Sequence, residues 1–169
     1  AIIRTFLIDP VGLIEGLLKP DEQYSVAGFR GAHFSRERHC LPAIVERIWQ
    51  GREAAKRDGN KPLSQALKII MNAMYGVLGS SGCRFFDSRL ASSITLRGHE
   101  IMRQTRQRIE AAGFRVIYGD TDSTFVWLGH AHSEGEADAI GHALVRDINI
   151  WWREHVQREY GLESALELQ

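Results

Sequence analysis

Two carboxylates two residues apart, Asp120 and Asp122, lie between two short β-favouring runs, and no other stretch constrains this chain as much. Val116, Ile117 and Tyr118 make the first run and residues 124–128 the second, so residues 119–123 read as the turn of a hairpin. Strand side chains alternate faces, so positions i and i+2 project the same way and the two charges stand side by side. Like charges held between apolar strands repel, and a cation relieves the cost. Mg²⁺ suits the place, because it takes hard oxygen ligands from one or two carboxylates and fills its shell with water and phosphates. The alternative is a D-x-D turn whose carboxylates cap backbone amides.

The remaining residues decide what could share that turn. The 169 residues are 44% hydrophobic, enough for one ordinary domain with room for a protruding subdomain. Lys and Arg number 21 and Asp and Glu 21, so the surface is not uniformly basic and any polyanion must be met by local clusters. Cys40 and Cys83 lack metal-ligand spacing and read as reduced, buried thiols. No apolar run reaches the ~18 residues of a membrane span, and no signal-like core stands at the start, so a cytoplasmic protein is expected. The opening A-I-I-R-T-F-L-I has no polar lead or Met, as in a segment of a longer protein. Asp9-Pro10 reads as the stop of that element, and residues 12–36 as loop with an extended piece near 29–34.

Leu41, Ile44, Val45, Ile48 and Trp49 recur at helical spacing, and their stripe continues to Arg52 and Lys56. This helix is expected over 41–57. A turn follows, with Pro62 at the head of a second helix over 63–78 whose apolar face is Leu67, Ile70, Met71, Met74 and Leu78. Lys68, Asn72, Tyr75 and Gly79 share another arc. The short connection makes the helices antiparallel neighbours, with Arg52 about five residues before the turn and Lys68 about six after it, at nearly one height. Arg52, Lys56 and Lys68 can therefore converge as a triphosphate clamp. Arg52, Lys56 and Arg57 could instead complement a helix C-terminus, a role that does not fit Lys68 in the first half of its helix.

A long helix is expected over 87–112, with Leu90, Ile94, Ile101, Thr105 and Ile109 inward, Arg97, Arg103, Arg106 and Arg108 on a solvated basic face, and Gly113 as its stop. Ser133 and Glu136 form a capping-box signature for a last helix that runs to about residue 160 and stops at Gly161. Trp151 and Trp152 read as core, His130 and His132 as surface residues, and residues 165–168 as the start of a strand.

Taken together, these motifs resemble those of the family B DNA polymerases, with the bacterial members nearest. The family's motif B, K-x-x-x-N-x-x-Y-G, is matched by Lys68, Asn72, Tyr75 and Gly76, and its motif C, Y-G-D-T-D-S, by residues 118–123. L-P-x-I-V at 41–45, R-x-x-x-K at Arg52 and Lys56, and F-F-D-x-R-L-A-S-S-I-T at 85–95 extend the likeness over nearly the whole chain.

The resemblance implies an α+β fold: a polymerase palm, an antiparallel sheet backed by helices, with an inserted antiparallel two-helix fingers hairpin. Residues 1–40 would be part of the palm, 41–78 the fingers, and 79–169 the palm with the motif C hairpin. The implied activity is template-directed DNA synthesis from dNTPs on a primer–template, with a sliding clamp as a further partner in the parent protein and the bacterial nucleoid as its place. Two Mg²⁺ ions, with Mn²⁺ as a substitute, would serve as cofactors. Asp122 would be the firm metal ligand and Asp120 the supporting one. Lys68 and Arg52, and less directly Lys56, would hold the triphosphate; Asn72, Tyr75 and Gly76 would line the nascent base pair; Tyr118 would approach the primer end. The family's motif A carboxylate would stand just upstream of Ala1, so this segment alone is expected to be inactive. A non-catalytic polymerase-like module is the other reading. A polymerase that acts on RNA or uses a protein primer is a third, the protein-primed kind being disfavoured by the short spacing from Gly76 to Tyr118.

Overall fold

The computed structural model describes residues 1–120, 123–129 and 133–169. The chain forms two compact units, Ala1–Leu96 and Arg97–Gln169, and helix α5 (Ser88–Ala111) contributes residues to both.

The first unit opens with two helices, α1 (Ile2–Thr5) and α2 (Pro10–Leu18). Asp9-Pro10 therefore starts a helix rather than only ending one. Asp9 is extended (ψ 139°) and its Oδ1 accepts the Gly12 N–H at 2.6 Å, while Pro10 takes the first helical position, where no N–H is needed. Gly12 and Gly16, which read as loop punctuation, lie inside α2. Gly16 is there for contact: a Cβ at that position would stand 2.2 Å from the His33 carbonyl oxygen. That carbonyl belongs to β2 (His33–Ser35), which pairs antiparallel with β1 (Ser25–Ala27), Val26 opposite Phe34. Strand structure thus covers 25–27 and 33–35 rather than 29–34, since Gly28 and the positive φ of Arg30 and Gly31 bend the chain between them. Phe6, Ile8, Leu13, Val26, Ala32 and Phe34 form the core here.

From this base rise α3 (Leu41–Arg57) and α4 (Lys61–Leu78), the two helices the apolar stripes predict. Asn60 caps α4, its side chain accepting the Leu63 N–H at 3.1 Å, with Pro62 in the first turn. The α3 cap, Cys40, makes no such side-chain bond. Asp9 takes its place. The fully buried carboxylate accepts, through Oδ2, the N–H groups of Cys40 at 3.0 Å and Leu41 at 2.7 Å and the Cys40 thiol at 3.3 Å. Burial alone would push the Asp9 carboxyl up, but the N–H groups of Leu41, Gly12 and Cys40 outweigh it and hold it below the usual carboxylate range. The resulting stability is complete above the ordinary carboxylate pKa and fades as pH falls through the lowered folded value. Cys40 is exposed and Cys83 partly so, so neither thiol is the buried filler expected of it.

The second unit contains residues 97–111 of α5, the hairpin β3 (Arg115–Asp120) with β4 (Ser123–Trp127), and α6 (Glu134–Tyr160). Trp152 anchors it: the ring is 2% exposed and its N–H donates to the Thr105 hydroxyl at 2.9 Å, so the one polar atom of a large buried side chain is satisfied. Ile109, Val116, Ile148 and Val156 complete this core. Both members of the Ser133 and Glu136 capping box are formed, and Gly161 (φ 61°) stops α6. Arg97 departs from the expected basic face. It is buried, donating to Glu100 and to the Tyr160 hydroxyl at 2.5 and 2.7 Å. Residues 165–168 form no strand; the Leu168 N–H and C=O bond instead to the Asn149 side-chain amide at 2.8 and 3.0 Å. His130 and His132 lie outside the described residues. No described helix is long and apolar enough to cross a membrane.

Because the atom facing Gly16 is strand backbone, Gly16→Ala should destabilise the protein by about 1–3 kcal/mol through overpacking. Thermal unfolding checks this, and an unchanged midpoint would contradict the close approach of α2 to β2.

Candidate active site

Residues 41–78 carry six of the nine residues singled out from sequence. Helices α3 and α4 lie against each other across a three-residue connection, and a Cβ built on Gly51 would meet Leu67 Cδ1 at 3.5 Å. Residues 51 and 67 are therefore level, and their successors Arg52 and Lys68 differ in height by about 3 Å along the pair. The expected common height is present.

The three cations are not equivalent. Lys56 Nζ is paired with Glu53 Oε1 at 2.7 Å. That contact, with lesser help from Arg52 and Arg57, holds the exposed Glu53 carboxyl below its usual range. Lys68 is exposed and makes no ion pair among the described residues. Arg52 is half-buried, and its Nε is fully buried with no hydrogen-bond partner among the described residues. An unpartnered donor on a charged group is costly, and an anionic ligand drawing the guanidinium outward would relieve it.

Along α4, Asn72 and Tyr75 are exposed on the arc that carries Lys68. The Tyr75 hydroxyl bonds the Thr95 hydroxyl at 2.8 Å, fixing the exposed ring against α5. Beside Gly76 there is open space: a Cβ there would meet nothing within 4 Å. Thr95 closes the 85–95 motif, in which Asp87 also grips Arg89 through two oxygens at 3.0 and 2.7 Å. Sequence reasoning quoted Thr95 without a role, because the spacing of a motif does not say which hydroxyl it meets across two helices.

In the second unit, the β3–β4 ladder runs through Gly119 opposite Thr124 and closes with Asp120 opposite Ser123. Asp120 thus ends a strand, and two residues separate the closing pair. Asp122 lies outside the described residues, so the shared face expected of the two carboxylates is not described. Tyr118 is exposed, its ring 5.7 Å from Phe125. The register slips between Val116 and Tyr118, which makes Ile117 the extra residue of a bulge. A bulge re-aims the side chain that follows it, here that of Tyr118. Nothing in V-I-Y signals it, since bulges depend on pairing more than on residue type. Among the described residues no three His, Cys, Asp or Glu side chains converge on a metal position. By sequence the Y-G-D-T-D-S run offers two aspartates, hard-oxygen donors of the kind that suits Mg²⁺ with water and phosphate as the other ligands.

Three comparisons bear on what these sites serve. The model of DNA polymerase family B matches residues 33–159. Over all 169 residues the chain is 69% identical to DNA polymerase II of Escherichia coli, of which it covers 22%, in keeping with the expected nearness to bacterial members. It is 33% identical over 141 residues to the DNA polymerase alpha catalytic subunit of Dictyostelium discoideum, covering 77% of this chain and 9% of that one. Among solved structures, the family B DNA polymerase of the hyperthermophilic archaeon Pyrobaculum calidifontis matches with a TM-score of 0.54 at 27% identity, over 82% of this chain and 18% of that chain. The chain therefore spans about a fifth of its bacterial relative.

The open space beside Gly76 yields a stability prediction. Gly76→Ala should stabilise α4 by about 0.5–1 kcal/mol, the usual gain for removing an interior helical glycine. A lowered thermal midpoint would show that the position is crowded.

Proposed function

This chain belongs to DNA polymerase family B, and from that premise we propose that it supplies the palm and fingers of a template-directed DNA polymerase. Residues 41–78 are the fingers, and residues 1–40 and 79–169 belong to the palm. The reaction is nucleotidyl transfer. The primer 3′-oxygen bonds the α-phosphorus of the incoming dNTP, the bond from that phosphorus to the bridging oxygen breaks, pyrophosphate leaves, and the hydroxyl proton passes to solvent.

The observation that carries this reading is the common level of Arg52 and Lys68 on two packed helices, inside a motif order that matches the family. Two cations on rigid elements hold a polyphosphate in a fixed direction, and orientation of that kind is a large part of catalysis in phosphoryl transfer. Lys56, already paired with Glu53, acts at one remove. Asn72, Tyr75 and Gly76 face the nascent base pair. The hydroxyl bond to Thr95 fixes the Tyr75 ring, and the space beside Gly76 admits a base-pair edge. Tyr118, after the Ile117 bulge, contacts the primer end.

Asp122 and Asp120 would hold divalent metal, Mg²⁺ by the hardness of the donors, which when bound supplies charge neutralisation for the transferring phosphoryl group. The activity belongs to the longer polymerase that contains this segment, with primer–template DNA and dNTPs as its substrates and a sliding clamp as a further partner.

The two carboxylates should separate by rank in that polymerase. Asp122→Asn removes the firm metal ligand and should cost about three or more orders of magnitude in kcat, whereas Asp120→Asn should cost less. Primer–template affinity should hardly fall in either variant. Single-turnover incorporation tests the ranking; a nearly active Asp122→Asn with a dead Asp120→Asn would reverse the assignment.

A further inference from the structure

The direction in which α3 and α4 point is set at their root, where one buried side chain governs it. Asp9 is fully buried and each of its oxygens serves a different helix: Oδ1 takes the Gly12 N–H of α2, and Oδ2 takes the Cys40 and Leu41 N–H groups that begin α3. Both helix N-termini favour a negative charge. Since α3 has no side-chain cap of its own, the cap it uses comes from 31 residues earlier and ties it to α2, which itself rests on the His33 backbone through Gly16. The next turns of α3 are held by α1, where Arg4 pairs with Glu46 and stacks on the Trp49 ring at 4.8 Å. Beyond Trp49 the hairpin is loosely supported: Ala55 is the one buried α3 residue there, and Leu63 of α4 is exposed.

Leverage follows from length. Residue 52 lies about 16 Å along α3 from residue 41, so a 10° tilt at the root moves it by about 3 Å. Misplacement of about 1 Å can cost on the order of a hundredfold in a reaction that depends on orientation.

We propose that Asp9 is a positioning residue for the incoming nucleotide: by capping α2 and α3 with one carboxylate, it fixes the direction in which the hairpin presents Arg52 and Lys68. The inference rests on the reading that these two residues hold a triphosphate. It assigns Asp9 a function separable from helix stability, because a cap supplied locally to each helix would restore stability without restoring the tie between them.

The test uses the full-length polymerase that contains this segment, with Asp9→Ser, which can still cap α2, and the double variant Asp9→Ser with Cys40→Ser, which offers each helix a local hydroxyl cap. Thermal midpoint, dNTP KM, kcat and primer–template affinity are measured for each, at a temperature where all are folded. Asp9→Ser should lower the midpoint and raise KM about tenfold or more. The double variant should recover midpoint while KM stays raised, with primer–template affinity within about twofold of the unmodified enzyme. A KM that never rises, or that returns together with the midpoint, overturns the proposal. Should Asp9→Ser not fold, Asp9→Asn is read by the same KM criterion. Lys68→Ala is the control: an unchanged KM there removes the clamp reading itself, whereas a raised KM there beside a normal KM in the Asp9 variants removes only the positioning role.

Discussion

A single buried carboxylate organises the first unit. Burial alone raises the Asp9 carboxyl pKa, yet the net shift is downward, because three backbone N–H groups from the starts of two helices converge on it, joined by the Cys40 thiol. Without those donors the charge would have to be neutralised or the site opened to water. With them, α2, α3 and, through Gly16, the β1–β2 pair become one body. The chain can then extend α3 and α4 outward with little burial of their own, since their foundation does not depend on the helices themselves.

That division of labour suits the proposed chemistry. A base-pair edge and a triphosphate need open, dry-walled space with a few fixed charges. Residues 41–78 offer what the proposal asks for: a lysine with no ion pair and an arginine Nε with no acceptor among the described residues, a glycine beside open space, and a tyrosine ring tethered through its hydroxyl. The second unit is held together differently. Trp152 and Thr105 lock α6 to α5 by a buried hydrogen bond, and the β3–β4 hairpin carries Tyr118 beyond a bulge toward the closing pair of Asp120 and Ser123.

How much of this was legible in the sequence depended on the range of the interaction involved. The α3 and α4 stripes, the Pro62 start, the Ser133 and Glu136 box and the Gly161 stop are local signals, and the helices they mark all form; the Asn60 cap was not among the expected signals. Misreadings arose where a residue's partner is distant. Asp9-Pro10 looked like a stop, because the donors that make Asp9 a double cap include two from residues 40 and 41. Arg97 looked like part of a solvated face, but Tyr160 and Glu100 draw it inward. Residues 165–168 looked like a strand for want of any hint that Asn149 would bond their backbone. The shared level of residues 52 and 68 was legible because it combines helical rise with a short connection, whereas the Ile117 bulge and the Thr95 contact were not, because neither leaves a mark in residue type.

The central claim, that Arg52 and Lys68 hold the triphosphate of the incoming nucleotide, is tested most directly by equilibrium binding without chemistry. In the full-length polymerase on a dideoxy-terminated primer–template, Kd is measured for the correct dNTP and for the corresponding dNMP, with Lys68→Gln and Arg52→Gln beside the unmodified enzyme. The account predicts that each substitution weakens dNTP binding by about tenfold or more while leaving dNMP binding within about twofold, because charge-assisted bonds to the lost phosphates carry the difference. An unchanged dNTP-to-dNMP ratio in both variants would contradict it and return the two residues to a solvated helix face.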